Sequence, residues 1–214
     1  MSYEGELARR YRAHHHKNMR TRLTTARECQ LLRRAWRYAG EPPVVLDLPC
    51  GTGRFWCAFE HTSLQRLIGA DISVDMLGIA RQNVPPGINT EIVHTSVFHT
   101  GFSDNAFPFT ACMRFFHHLA KSEDRRMALS ELSRITTDYL VVSLWTDGSI
   151  GSWRRAKRSR PAVGGFGRRI CRPREEVEAE FGDLGLRIVD SMSVWPGLSM
   201  WRFYLLAIGD QNHV

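Results

Sequence analysis

The 214 residues suit one large domain, and a composition 43% hydrophobic and 10% aromatic is ordinary for a chain that buries a sizeable core. The formal net charge of +7 draws anionic partners without deciding a fold. Five cysteines, an odd number with no Cys-x-x-Cys pair, argue against a disulfide framework or a structural zinc site, and the longest apolar runs (139–145 and 203–208) fall far short of the roughly 20 residues a membrane-spanning helix needs.

Residues 1–6 lack the charged and apolar regions of a signal peptide, which with the cysteine usage predicts a cytoplasmic protein. Residues 3–39 read as helical. Thr25 followed by Glu28 forms a capping-box pattern, and Leu31, Leu32, Ala35 and Trp36 recur at helical spacing. The His14-His15-His16 run within this segment is read as neither a tag nor a functional metal site. Gly40 and Pro42-Pro43 stop the helix.

Strands and helices then alternate. Residues 44–48 form a buried strand, and a helix is expected to start over 53–59. Residues 67–71 are a second strand. Ser73 caps a helix carrying Met76, Leu77 and Ala80, which Pro85-Pro86-Gly87 ends. Strands follow at 91–97 and 109–115, a helix at 121–135 and a strand at 139–145. Residues 148–174 hold nine Lys or Arg and no acid, with Gly164, Gly165 and Gly167 predicting flexibility. A helix over 174–181 and strands at 187–194 and 201–208, joined near Pro196-Gly197, complete the chain. The alternation predicts a mostly parallel sheet with helices on both faces and a possible hairpin at one edge.

Such sheets bind ligands at the carboxyl ends of their strands. The first strand ends at Asp47, and its turn reads Leu48-Pro49-Cys50-Gly51-Thr52-Gly53. Gly51 and Gly53 let backbone approach a ligand, and Asp71, ending the second strand, can accept both hydroxyls of a ribose. A nicotinamide-type G-x-G-x-x-G would need glycine at 49, 51 and 54, where the chain has Pro49, Gly51 and Arg54. No Tyr-x-x-x-Lys and no Gly-Lys-Ser/Thr is present.

The run Val45-Leu46-Asp47-Leu48-Pro49-Cys50-Gly51-Thr52-Gly53 resembles motif I of the class I S-adenosylmethionine-dependent methyltransferases. Ala70-Asp71-Ile72-Ser73, with Met76, Leu77 and Ala80 after it, resembles their next motif. Asp104-Asn105-Ala106-Phe107 and residues 112–119 resemble the segment around their fourth strand. The resemblance covers residues 44–145 well and the last two strands loosely. It implies a Rossmann-like, doubly wound, seven-stranded, mostly parallel α/β sheet with an antiparallel edge hairpin, and S-adenosylmethionine as cofactor. It implies that Asp47 and the Gly51 and Gly53 backbone face the methionine part of the cofactor. Asp71 would hold the ribose, Ile72 and Met76 would lie against the adenine, and Met113 beside the cofactor. Ser96-Val97 stands where the family often has Asp-Ala, and Pro49 replaces the usual first glycine, removing an N–H from the turn.

The acceptor side is less legible. His117 and His118 directly follow the fourth strand and are the candidates for a general base or acceptor contact; packing is the competing reading. That segment offers Met113, Arg114 and two histidines rather than carboxylates, so no metal is expected. Residues 9–37 and 154–174 together hold 19 of the 29 Lys and Arg. In the resembled family both regions cover the acceptor site. The implied organisation is an N-terminal helical cap at 1–43 and a methyltransferase domain at 44–214, with a basic lid-like insertion at about 148–174. The acceptor so implied is an anionic or amphipathic small molecule, glycolipid or sugar-phosphate, methylated on oxygen in preference to nitrogen. RNA methylation, and a non-catalytic module holding nucleic acid or a membrane surface, stay open as alternatives, as does the oligomeric state.

Overall fold

The computed structural model describes residues 19–157 and 170–209. The predicted helical start before residue 19, the His14 to His16 run and Gly164, Gly165 and Gly167 lie outside them. The chain divides into two compact units between Gly101 and Phe102.

The first unit opens with helix α1, Met19–Tyr38. Its apolar face buries Cys29, Leu31, Leu32, Ala35 and Trp36, each large side chain contributing about 1.5–3 kcal/mol. Gly40, at φ +81°, ends it. The Gly40 N–H donates to Arg37 O and the Glu41 N–H to Trp36 O, a Schellman closure that needs the left-handed glycine. Thr25 does not cap this helix. The chain is already helical from Met19, so the Thr25 hydroxyl donates back to Thr21 O at 2.9 Å.

Strand β1 (Val44–Asp47) pairs in parallel with β2 (Arg66–Asp71), and β2 pairs in parallel with β3 (Asn89–His94). Helix α2 (Val74–Ala80) follows β2, and Ser73 Oγ caps it by accepting the Met76 N–H at 3.3 Å. The helix expected over 53–59 reduces to turns and one 3₁₀ turn, Trp56–Ala58. Its carbonyls are claimed from outside. Arg33 on α1 donates to Ala58 O at 2.5 Å, and to Cys57 O and Glu60 O at 3.0 Å each. A single disulfide, between Cys29 and Cys57, ties the same two segments, where the cysteine pattern argued against a disulfide framework; Cys50, Cys112 and Cys171 are free.

The second unit holds β4 (Phe107–Cys112), β5 (Thr136–Thr146), β7 (Leu186–Ser193) and β8 (Trp201–Ile208) in the order β4-β5-β8-β7. β4 and β5 are parallel; β8 runs antiparallel to both β5 and β7, giving the expected edge hairpin. A two-residue strand, β6 (Cys171–Arg172), pairs with the end of β5 and raises the seven predicted strands to eight among the described residues. Helix α3 (Ser122–Ile135) precedes β5, and α5 (Arg174–Asp183) precedes β7. Within the basic stretch, read from sequence as flexible, residues Ile150–Lys157 form helix α4. No described helix is long and apolar enough to cross a membrane.

Candidate functional site

The turn after β1 is built around one carboxylate. Asp71 ends β2 and is buried. Its Oδ2 accepts the Gly51 N–H at 2.8 Å, and its Oδ1 accepts the Ser73 N–H at 2.9 Å. One side chain thereby fixes both turns, and each oxygen keeps a second lone pair for a hydroxyl donor. Gly51 sits at φ +55°, where a Cβ would meet nothing within 4 Å, so its backbone borders open space. Cys50 beside it is no nucleophile: burial first, then the charges of Asp47 and Asp71, push its thiol far up.

Asp47 ends β1 and is buried. Its Oδ2 accepts the Trp56 indole N–H at 2.9 Å, while its Oδ1 has no hydrogen-bond partner among the described residues. Burial pushes the carboxyl up to about 8, the Asp71 charge adds to the rise, and the Trp56 N–H opposes it. Loss of its proton in the folded state is therefore delayed, and this group makes the fold less stable as pH rises from the ordinary carboxylate range to about 8.

Trp56 is the residue the sequence reading missed. A Cβ on Gly53 would come within 2.6 Å of its ring, and one on Gly69 within 2.3 Å. The indole therefore lies on two glycine backbones, one in the turn and one in β2. Gly53, at φ +71°, serves this packing as well as the turn. α1 steadies the next residues: Arg54 donates to Thr25 Oγ1 at 3.0 Å and sits 3.6 Å from the buried Glu28 carboxylate. The capping-box pair thus holds the loop.

Of the other predicted cofactor residues, all but Met113 belong to the first unit. Pro49 follows a cis peptide and is half-buried. Ile72 and Val74 are exposed beside Asp71, Met76 is half-buried on α2, and the His94 Nε2–H donates to Ile72 O at 2.8 Å. Past β3, Ser96 Oγ accepts the Phe98 N–H and Val97 is buried.

In the second unit, Met113 is buried immediately after β4. Arg114 follows in the left-handed region at φ +55°, its N–H donating to Ser143 Oγ at 2.8 Å. Glu41, His61 and Asn105 share this backbone, which is costly for a residue with a side chain. His117 is buried, stacked on Trp145 at 5.2 Å and edge-on to Trp201 at 4.8 Å. Trp145 and Trp201 are directly opposed in the β5–β8 register. Two guanidiniums lie on these rings, Arg114 4.5 Å from the Trp201 centroid and Arg155 4.7 Å from that of Trp145. His118, one residue beyond His117, is exposed. The sequence indicated the two histidines and Trp201; nothing local in it assigned Arg114 and Arg155 to tryptophan faces.

Residues 45–138 match the family described as Methyltransferase domain. No curated protein matches the chain. Among solved structures, the magnesium protoporphyrin IX methyltransferase of Synechocystis PCC 6803 with bound SAH superposes with a TM-score of 0.70 at 15% identity, over 90% of this chain and 88% of that one. The same enzyme with bound SAM gives 0.62 at 14% identity, over 90% and 85%. An S-adenosylmethionine-dependent methyltransferase of Clostridium acetobutylicum gives 0.70 at 13% identity, over 94% and 98%. At these identities the likeness is one of fold: mixed α/β, Rossmann-like.

Proposed function

We propose that this chain, whose residues 45–138 match a methyltransferase domain and whose fold is that of S-adenosylmethionine-dependent methyltransferases, is such an enzyme and methylates an anionic or amphipathic small molecule, on oxygen in preference to nitrogen and without a metal. The observation that carries the acceptor class is the pair of guanidiniums held on Trp145, near the end of β5, and Trp201, at the start of β8. Cations beside flat rings suit an acceptor that combines a charged group with an apolar body.

When bound, S-adenosylmethionine supplies a methyl group already activated on its sulfonium. The chain has to hold and align. Asp71, pre-oriented by the Gly51 and Ser73 N–H groups, would accept the ribose hydroxyls. Asp47 would face the methionine ammonium through the oxygen that has no partner among the described residues. Ile72, Met76, Ser96 and Val97 would border the adenine, and Met113 the reacting end. His118 would take the acceptor proton, and His117, packed between tryptophans, would position that segment.

Labelled S-adenosylmethionine incubated with enzyme and a whole-cell extract, read by mass spectrometry, tests the reading. A labelled anionic or amphipathic product supports it; label confined to RNA refutes it. Once the acceptor is in hand, Arg114→Met is expected to raise its KM about 10- to 100-fold, the scale of one lost charge-assisted hydrogen bond. The kcat should change less. An equal loss toward a neutral analogue would remove Arg114 from anion binding.

Asp47 adds a prediction about protons. With its carboxyl pushed up to about 8, the free protein holds the proton at pH 6.5. An ammonium placed beside it favours the carboxylate, so binding is expected to release up to about one proton, and affinity to rise with pH below 8. Calorimetry at pH 6.5 in buffers of different ionisation enthalpy measures the release. Asp47→Asn should abolish it; a wild-type release of zero would separate Asp47 from the ammonium.

A further inference from the structure

The second unit exposes five large apolar side chains among its described residues, and four of them belong to two adjoining segments. Ile150 (45% exposed) and Trp153 (58%) are on α4; Trp195 (42%) and Leu198 (63%) are in the turn between β7 and β8. The segments are joined through their backbones. The Ile150 N–H donates to Gly197 O at 2.9 Å and the Gly151 N–H to Leu198 O at 3.0 Å. A Cβ on Gly151 would lie 2.7 Å from Leu198 O, so this approach depends on glycine. The turn is closed by Leu198 and Ser199 N–H groups on Trp195 O. Ser149 and Ser152 fix the start of α4 by accepting each other's N–H at 3.0 and 3.1 Å. The apolar surface is therefore held in place in spite of its exposure.

The charged residues of α4 are all basic, and the exposed Asp147 that precedes the helix has its carboxylate on the Arg174 N–H at 2.9 Å. Arg154 and Lys157 are exposed on α4, the Lys157 Nζ lies 3.9 Å from the Trp153 ring centroid, and residues 148–174 contain no acid. A tryptophan carrying a lysine above its face has an apolar body and a cationic tip, the pairing suited to the boundary between lipid chains and headgroups. We propose that α4 and the β7–β8 turn form a docking surface for an anionic phospholipid membrane. Ile150, Trp153, Trp195 and Leu198 enter the headgroup boundary, and Arg154 and Lys157 meet the lipid phosphates. Two other occupants fit less well. A second copy related by a two-fold axis would bring this cationic rim against itself. A nucleic acid would satisfy the charges and leave the aliphatic side chains in water.

Flotation of the full chain with vesicles tests the surface without cofactor or acceptor, so its outcome is separate from that of the proposed reaction. Binding is expected to vesicles containing one-third phosphatidylglycerol and not to pure phosphatidylcholine, weakening in high salt. Trp153→Ser with Leu198→Ser should cut the partition roughly tenfold or more, as should Arg154→Glu with Lys157→Glu. Both variants should keep wild-type affinity for S-adenosylmethionine, which shows that they are folded. No flotation with anionic vesicles overturns the proposal. So does flotation unchanged in the Trp153/Leu198 variant. A concentration-dependent dimer that Leu198→Ser dissolves would assign the face to a second copy and overturn it equally.

Discussion

Replacing Asp71 with alanine is expected to weaken S-adenosylmethionine binding by roughly 100-fold or more. Two effects combine. The carboxylate's free lone pairs are the proposed ribose acceptors, and each charge-assisted hydrogen bond contributes about 1.5–3 kcal/mol. The same oxygens anchor Gly51 at 2.8 Å and Ser73 at 2.9 Å. Losing them frees the turn after β1 and the start of α2, so binding must also reorder the backbone. Two lost bonds alone correspond to about two decades in Kd. Asp71→Asn keeps one carbonyl oxygen and should fall between alanine and wild type. Titration calorimetry with S-adenosylmethionine or S-adenosylhomocysteine decides it. An alanine variant that binds within about threefold of wild type would show that the ribose is held elsewhere.

Arg125→Met is expected to lower stability by about 3–5 kcal/mol, the cost of breaking a buried ion pair by removing one partner. Arg125 on α3 is buried, as is Glu180 on α5. Its Nε donates to Glu180 Oε2 at 2.8 Å, its Nη2 to both Glu180 Oε1 and Glu176 Oε1, and its Nη1 to Ala120 O at 3.3 Å. Ser122 Oγ donates to Glu180 Oε1 at 3.0 Å. Methionine would keep much of the volume and leave Glu180 buried without its cation. For a chain of this size, such a loss lowers Tm by roughly 6–20 °C. Thermal denaturation of the variant measures it. Pairing it with Glu180→Leu should recover much of the loss, because the stranded charge is then gone. A single variant within about 1 kcal/mol of wild type would mean that water reaches the carboxylate.

Both residues bear on what could be read in advance. Asp71 was legible because its meaning is local: an acid at the end of an apolar strand, followed by a serine that caps a helix. Arg125 was not, since its partners Glu176 and Glu180 stand 51 and 55 residues away. Trp56 is a subtler case. It lies nine residues from Asp47, yet its indole reaches that carboxylate only because Gly53 and Gly69 leave room for the ring. The expected helix over 53–59 failed for a related reason. The alternation of elements suggested it, but Arg33 and the Cys29–Cys57 disulfide hold the segment from α1.

The sequence by itself determined the alternation of strands and helices, the Gly40 stop of α1, the Ser73 cap, and the turn carrying Asp47, Gly51, Gly53 and Asp71. Each depends on hydrophobic period, on a backbone conformation open to glycine, or on a side chain bonding within a few residues. Only the tertiary structure decided how these residues are used. It gave Asp47 one indole partner and one oxygen without a partner, placed Arg114 and Arg155 on tryptophan faces, packed His117 between those rings while leaving His118 exposed, and joined α4 to the β7–β8 turn as one basic, apolar surface. The physical reason is the range of the forces involved. Burial, desolvation and ring stacking depend on which distant segments meet, and one-dimensional spacing carries no record of that.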